Sequence, residues 1–119
     1  MRPGDFRALD RVIHERGRLA IMSLLAAGGT LAFTETRDRL EMTDGNLSRH
    51  LATLEEAGLV RLSRHVGSGR PVTEISITED GRKAFASYVQ RLEAILAPAR
   101  SAAGKEDTTE DEEPALSPA

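Results

Sequence analysis

With 119 residues, 39% of them hydrophobic, the chain is about one domain long and has enough apolar content for one modest core. Three Phe, one Tyr and no Trp leave that core to Leu, Ile, Val, Met and Ala, a composition that favours helices. The absence of cysteine excludes disulfides, thiolate metal sites and cysteine nucleophiles together, and the formal net charge is −3.

The charge is unevenly placed. Residues 98–119 hold two basic and six acidic side chains, which leaves residues 1–97 at a net charge of +1. The opening residues Met1 to Arg7 include an acid and no apolar run. Nothing in the chain approaches the roughly 18 apolar residues of a membrane span, so the expectation is a cytoplasmic protein without a membrane partner.

In chain order, Leu9, Val12 and Ile13 predict a first helix over residues 8–14. Leu19, Ala20, Ile21, Met22, Leu24 and Leu25 predict a buried helix over 18–27, stopped by Gly28 and Gly29. Residues 30–33 read as a short extended link, after which Thr34 is expected to cap a brief helix reaching Leu40, with Glu35 in its first turn. Thr43 opens the next helix, which a Gly58 stop closes, and within it Leu47, Leu51 and Leu54 form a buried stripe. The opposite side carries Gly45, Arg49, Ala52, Thr53 and Glu56, flanked by Asn46 and Ser48, a surface shaped for close approach.

Val60 and Leu62, then a glycine-rich turn at 67–71, then Thr73, Ile75 and Ile77 in alternation predict a β-hairpin. Thr78, followed by Glu79 and Asp80, caps a last helix expected to end near Pro98. Phe85, Val89, Leu92 and Leu96 follow the heptad spacing of a helix–helix seam, whose partner is a second chain or the chain's own core. The organisation is therefore a domain over 1–97 and, over 98–119, an acidic tail expected to be disordered. The fold class is mainly α with a small β-hairpin. The short connection Glu41-Met42 between two helices fits a helix-turn-helix, and the hairpin directly after fits a wing.

The run from Thr43 to Leu51 (TDGNLSRHL), continuing from Leu54 to Val60 (LEEAGLV), resembles the recognition-helix signature of MarR and ArsR type winged-helix transcriptional regulators. The resemblance extends from Leu9 through Arg18-Leu19-Ala20-Ile21, Phe33-Thr34-Glu35 and Gly69-Arg70-Pro71 to Ile77-Thr78-Glu79-Asp80-Gly81. It implies a winged helix-turn-helix with N- and C-terminal dimerisation helices, a recognition helix in the major groove and a wing on the backbone or minor groove of double-stranded DNA. Thr43, Gly45, Asn46, Ser48 and Arg49 are the DNA-facing candidates, with Thr53 at the periphery. Arg49 suits either guanine or phosphate, and Asn46 either adenine or a local hydrogen bond. Gly45 costs about 1 kcal/mol against alanine in a helix, which close contact with DNA would explain. His50 follows the family pattern, yet beside the leucine stripe it also suits a half-buried role. Asp44 would be repelled by phosphates and is expected to point back along the helix start.

Arg61, Arg64 and Arg70 lie in a stretch, 61–71, that holds no acid, so the wing candidates are Arg64, Ser68 and Arg70. Leu9, Val12, Phe85, Tyr88, Val89, Leu92 and Leu96 are the candidates for a homodimer interface. His14, His50 and His65 are far apart, no nucleophile elbow or metal-protease motif occurs, and no enzyme, metal or cofactor is expected. The competing reading is a winged helix that binds protein instead of DNA, and no small-molecule effector is marked in the sequence.

Overall fold

The computed structural model describes residues 8–67 and 69–106. Its elements run α1 (Arg16–Gly28), β1 (Thr30–Ala32), α2 (Phe33–Leu40), α3 (Asp44–Glu56), β2 (Val60–Gly67), β3 (Arg70–Ile77) and α4 (Glu79–Glu106). The chain divides into a compact unit over Leu9–Tyr88 and a second unit whose described residues are 8 and 89–106.

In the first unit most of the apolar residues expected to face inward do so, while Leu19, Ala20 and Leu24 of α1 are half-buried. Ile21, Met22 and Leu25 of α1, Leu47, Leu51 and Leu54 of α3, and Ile75 of β3 are fully buried, with Ile13 beside them. Burial of each such side chain stabilises the fold by about 1.5–3 kcal/mol relative to exposure. The sheet is antiparallel with strand order β1-β3-β2. Residues 30–33, expected as a link, contribute a strand: Thr30, Leu31 and Ala32 pair with Ser76, Ile75 and Glu74. Their backbone groups gain ladder partners that lie more than forty residues away, a pairing that local pattern does not encode.

Four boundaries differ from expectation. Residues 9–15 form turns rather than an α-helix, because the Asp10 carboxylate accepts from the backbone N–H groups of Val12 (2.8 Å) and Ile13 (3.1 Å). Aspartate competes with helical bonding in this way. Helix α1 starts earlier than expected, at Arg16, with Glu15 as its cap accepting from the Arg18 N–H at 2.8 Å. Thr34 is not a cap, since α2 starts at Phe33 after Ala32, which makes no side-chain cap bond. Thr36 in the same helix is fully buried and donates its hydroxyl to the Ala32 carbonyl at 2.9 Å.

The fourth difference concerns α4, which begins as expected with the Thr78 hydroxyl accepting from the Gly81 N–H at 2.9 Å but continues through Pro98 to Glu106. Proline there removes one helical hydrogen bond, and Ala94, Ala97, Ala99, Ala102 and Ala103 around it are the strongest helix formers. Residues 107–119, the rest of the expected acidic tail, lie outside the described residues. Among the described residues, no helix is long and apolar enough to cross a membrane.

Candidate nucleic-acid interface

The connection between α2 and α3 is tight because Glu41 takes a left-handed backbone (φ 54°) and Met42 donates to the Arg37 carbonyl at 3.0 Å. This turn presents α3 as the second helix of a helix-turn-helix. Thr43 caps it, its hydroxyl accepting from the Asn46 N–H at 3.1 Å. With Leu47, Leu51 and Leu54 turned into the core, the opposite face of α3 is exposed at Gly45, Arg49, Ala52 and Glu56.

Thr43, Asn46 and Ser48 are exposed on the same helix. Arg49 is exposed and forms no ion pair with a described residue. A Cβ at Gly45 would meet nothing within 4 Å, so no packing inside this chain calls for glycine there. Thr53 is half-buried, and its hydroxyl donates back to the Arg49 carbonyl at 3.3 Å.

His50 is the one recognition-helix candidate that the structure turns away from this face. Its side chain is 13% exposed, with Nδ1 3.7 Å from Glu15 Oε1 and 3.4 Å from Arg18 Nη1. A Cβ at Gly17 would fall 2.7 Å from His50 Nε2, so the ring is seated against the start of α1. The inclusion of His50 among DNA contacts is corrected: it ties α3 to α1. The Arg18 N–H bond holds the Glu15 carboxyl below its ordinary value against partial burial, with the Gly17 N–H and the nearby Arg18 guanidinium adding to the effect.

Asp44 does not simply point back along the helix start. Its Oδ1 accepts from Arg37 Nη1 at 2.9 Å, while Arg37 Nε donates to Asp38 Oδ1 at 2.9 Å. The two carboxylates, Asp38 foremost, hold the guanidinium still more firmly protonated than usual. Sequence reading missed Arg37, because the pair joins two helices across a turn and carries no local spacing signal.

The hairpin places Arg64 opposite Thr73, Val66 opposite Pro71 and Gly67 opposite Arg70. Arg61, Arg64 and Arg70 are exposed, and none forms an ion pair with a described residue. Ser68 lies outside the described residues. The stretch 61–71 holds no acid of its own, yet the sheet brings Glu74 Oε1 to 3.2 Å from His65 Nε2. Between α3, the start of α2 and the hairpin lies an open cleft of about 370 Å³, lined by Phe33, Ser48, Ala52, Glu55, Leu62, Arg64 and Thr73. Glu55 bridges it at one end, its Oε2 accepting from the Leu62 N–H at 3.4 Å.

The residues expected at a dimer interface are unequal. Leu9 and Tyr88 are buried within the chain's own fold, at 9% and 1% exposure, so they are corrected to core residues. Tyr88 gives its hydroxyl to a 2.8 Å contact with His14 Nδ1. Val12, Phe85, Val89 and Leu92 are half-buried, and Leu96 is exposed at 44%. Among the described residues, no group of three or more His, Asp or Glu side chains is arranged to hold a metal ion.

A tri-helical helix-turn-helix followed by a hairpin, with an exposed second helix and basic hairpin, defines a winged-helix protein of the DNA-binding class. The family model described as the winged helix DNA-binding domain matches residues 18–96, and the chain belongs to that family. It is 40% identical over 75 residues to an uncharacterized protein of Methanocaldococcus jannaschii, covering 63% of this chain and 82% of that protein. Its fold is similar to that of the transcriptional regulator homologue from Pyrococcus horikoshii OT3, with a TM-score of 0.74 at 26% identity over 80% of this chain and 92% of the other. The zinc-responsive MarR family member ZitR of Lactococcus lactis shares the fold at a TM-score of 0.60 and 21% identity, over 87% of this chain and 68% of the other. The family is thus the winged helix DNA-binding domain, and the fold is one that these solved regulators share.

Proposed function

We propose that the protein is a sequence-specific regulator of transcription that binds duplex DNA as a homodimer. In this reading α3 enters the major groove, Arg49, Asn46 and Ser48 reach base edges or phosphates, and Thr43 and Gly45 allow close approach. Arg64 and Arg70 of the wing engage the sugar–phosphate backbone, which positions the protein without reading sequence. Thr53 stands at the edge of the contact, its hydroxyl already committed to the Arg49 carbonyl.

The observation that carries the proposal is the exposed face of α3. A Cβ at Gly45 would meet nothing within 4 Å, Arg49 is exposed, and the neighbouring side chains are small and able to hydrogen-bond. A glycine in the first turn of α3 that no packing within the chain calls for fits a surface that another molecule approaches closely. Dimerisation rests on Val89, Leu92 and Leu96 of α4, apolar side chains at helical spacing that stay half-buried or exposed in the single chain. Two copies would set half-sites about 34–36 Å apart, or a multiple of that spacing.

The test is fluorescence anisotropy of the full chain on the duplex upstream of its own gene and on a scrambled duplex, at two salt concentrations. Tight binding that prefers the upstream duplex and weakens steeply with salt is the expected result. Absence of binding to either duplex at low salt would overturn the proposal in favour of a protein-binding winged helix.

A further inference from the structure

Asp44 is the first residue of α3, its side chain 70% exposed, one turn before Ser48 and next to Gly45 on the helix proposed to meet DNA. An unpaired carboxylate there would be repelled by every phosphate it approached. The structure supplies a partner: Arg37 Nη1 lies 2.9 Å from Asp44 Oδ1, and Arg37 is itself fixed by Asp38 through Nε at 2.9 Å. The guanidinium is thus held in one orientation by two carboxylates, and it fixes the Asp44 carboxylate in turn. Asp44 Oδ2 has no hydrogen-bond partner among the described residues.

We propose that Asp44 is a specificity-determining residue that reads a cytosine amino group, and that Arg37 is the positioning residue that holds it there. The inference rests on the DNA-binding reading above and adds a base contact to it. An ionised carboxylate only accepts hydrogen bonds. In the major groove the exocyclic amines of cytosine and adenine are the available donors, and adenine places its N7 acceptor beside the amine, facing the carboxylate with a second negative site. Cytosine presents its amine without that neighbour, so it is the base favoured by a carboxylate. Arg37 also offsets the charge of Asp44, which lowers the electrostatic cost of bringing the acid near the backbone.

The experiment is selection of duplexes from a randomised pool by the full chain, followed by anisotropy on the selected site and its single-base variants. The wild-type chain is expected to prefer C·G over the other pairs at one position by about 5- to 150-fold. Asp44→Asn loses that preference while retaining the others, and Arg37→Met loses it as well and binds all duplexes more weakly. Adding Asp44→Asn to Arg37→Met restores general affinity without restoring the preference, a rescue that a purely structural role for Arg37 would not give. Tighter binding by Asp44→Asn to all duplexes alike would overturn the proposal and leave the acid merely repulsive. An unchanged preference in Arg37→Met would overturn the positioning role. Failure of the wild-type chain to select any duplex would overturn the DNA-binding reading itself. Asp44 is exposed and Arg37 half-buried, and thermal unfolding of each variant confirms that the fold is intact.

Discussion

Gly81 lies so close to the carbonyl oxygen of Leu59 that a Cβ at residue 81 would collide with it, and the same Cβ would fall 2.9 Å from Ile77 Cγ1. The contact closes the base of the wing onto the first turn of α4, where the Leu59 carbonyl also accepts from the Thr78 N–H at 3.0 Å. The obstacle is backbone rather than a movable side-chain end, so relief needs a shift of the strand or the helix. Gly81→Ala is therefore expected to destabilise the fold by about 1–3 kcal/mol despite alanine's better helix propensity. Urea denaturation should show a lower midpoint with an unchanged slope, whereas unaltered stability would mean that the helix start moves freely.

The parts of the fold that sequence exposes are those set by local chemistry. Thr43, the leucines at 47, 51 and 54, and Gly58 mark α3 at its start, along its inner face and just past its end, and each performs that role in the structure. Where local chemistry is ambiguous, the reading fails. Leu9, Val12 and Ile13 have helical spacing, but Asp10 diverts the backbone into a turn. Glu15 is not a common cap residue, so the sequence carries no clear sign that α1 starts at Arg16. Long-range pairings are invisible altogether: β1 with β3, His65 with Glu74, and Tyr88 with His14 join residues whose proximity only the folded chain creates. His50 shows the limit for the site, because one helical position decides whether a side chain faces DNA or the neighbouring helix.

Tyr88 is 1% exposed and is the sole tyrosine of the chain. Burial raises its pKa above the ordinary 10.0, because the phenolate would lose hydration. A raised folded-state value means that the fold favours the protonated phenol. That contribution is complete below about pH 10 and is lost as pH rises through the folded value. The ultraviolet phenolate absorbance of the native protein should therefore titrate later than that of the unfolded protein. Tyr88→Phe, which removes the contact with His14, should cost about 0.5–1.5 kcal/mol near neutrality. Coincident titration of native and unfolded protein would contradict the burial of the hydroxyl.

Glu15 offers a prediction at the opposite end of the pH scale. Its carboxylate caps α1, and the Arg18 N–H holds its pKa below the ordinary 4.5. A lowered folded-state value favours the ionised form, so the stabilisation is present above the unfolded value and fades as pH falls through the folded one. Glu15→Ala is expected to cost about 0.5–2 kcal/mol at neutral pH. In chemical denaturation repeated at decreasing pH, the gap between wild type and variant should narrow below the ordinary carboxyl range. A gap that stays constant down to strongly acidic pH would show that the charge plays no part in the cap.

Arg49 and Arg64 should separate base reading from positioning. Arg49 sits on the exposed face of α3, and Arg64 on the wing lines the cleft beside Ser48. Loss of a phosphate contact at Arg64→Ala is expected to weaken binding uniformly across sequences and to reduce the slope of log affinity against log salt by about 1. Loss of a base contact at Arg49→Ala should reduce preference at one position, by about 1–3 kcal/mol if the contact is bidentate. Anisotropy on matched and single-base-altered duplexes distinguishes the two patterns, and a uniform effect for Arg49→Ala would reassign it to the backbone.

Leu96 tests the dimer with little risk to the fold, since 44% of its surface is exposed in the single chain. If α4 meets a second copy through Val89, Leu92 and Leu96, an aspartate at 96 must be buried without a partner when the dimer forms. Leu96→Asp is then expected to raise the dimer dissociation constant by about 10- to 100-fold, a change of roughly 1.4–2.8 kcal/mol. Leu96→Met, which keeps the apolar volume, should leave it nearly unchanged. Sedimentation over a concentration series reads both, and circular dichroism shows whether the single chain keeps its helices. Because two linked half-site contacts bind more tightly than one, the aspartate variant should also lose affinity for a two-half-site duplex while retaining its weaker binding to a single half-site. Equal sedimentation of wild type and Leu96→Asp as dimers would move the interface away from this face of α4, and a monomeric wild type would remove it altogether.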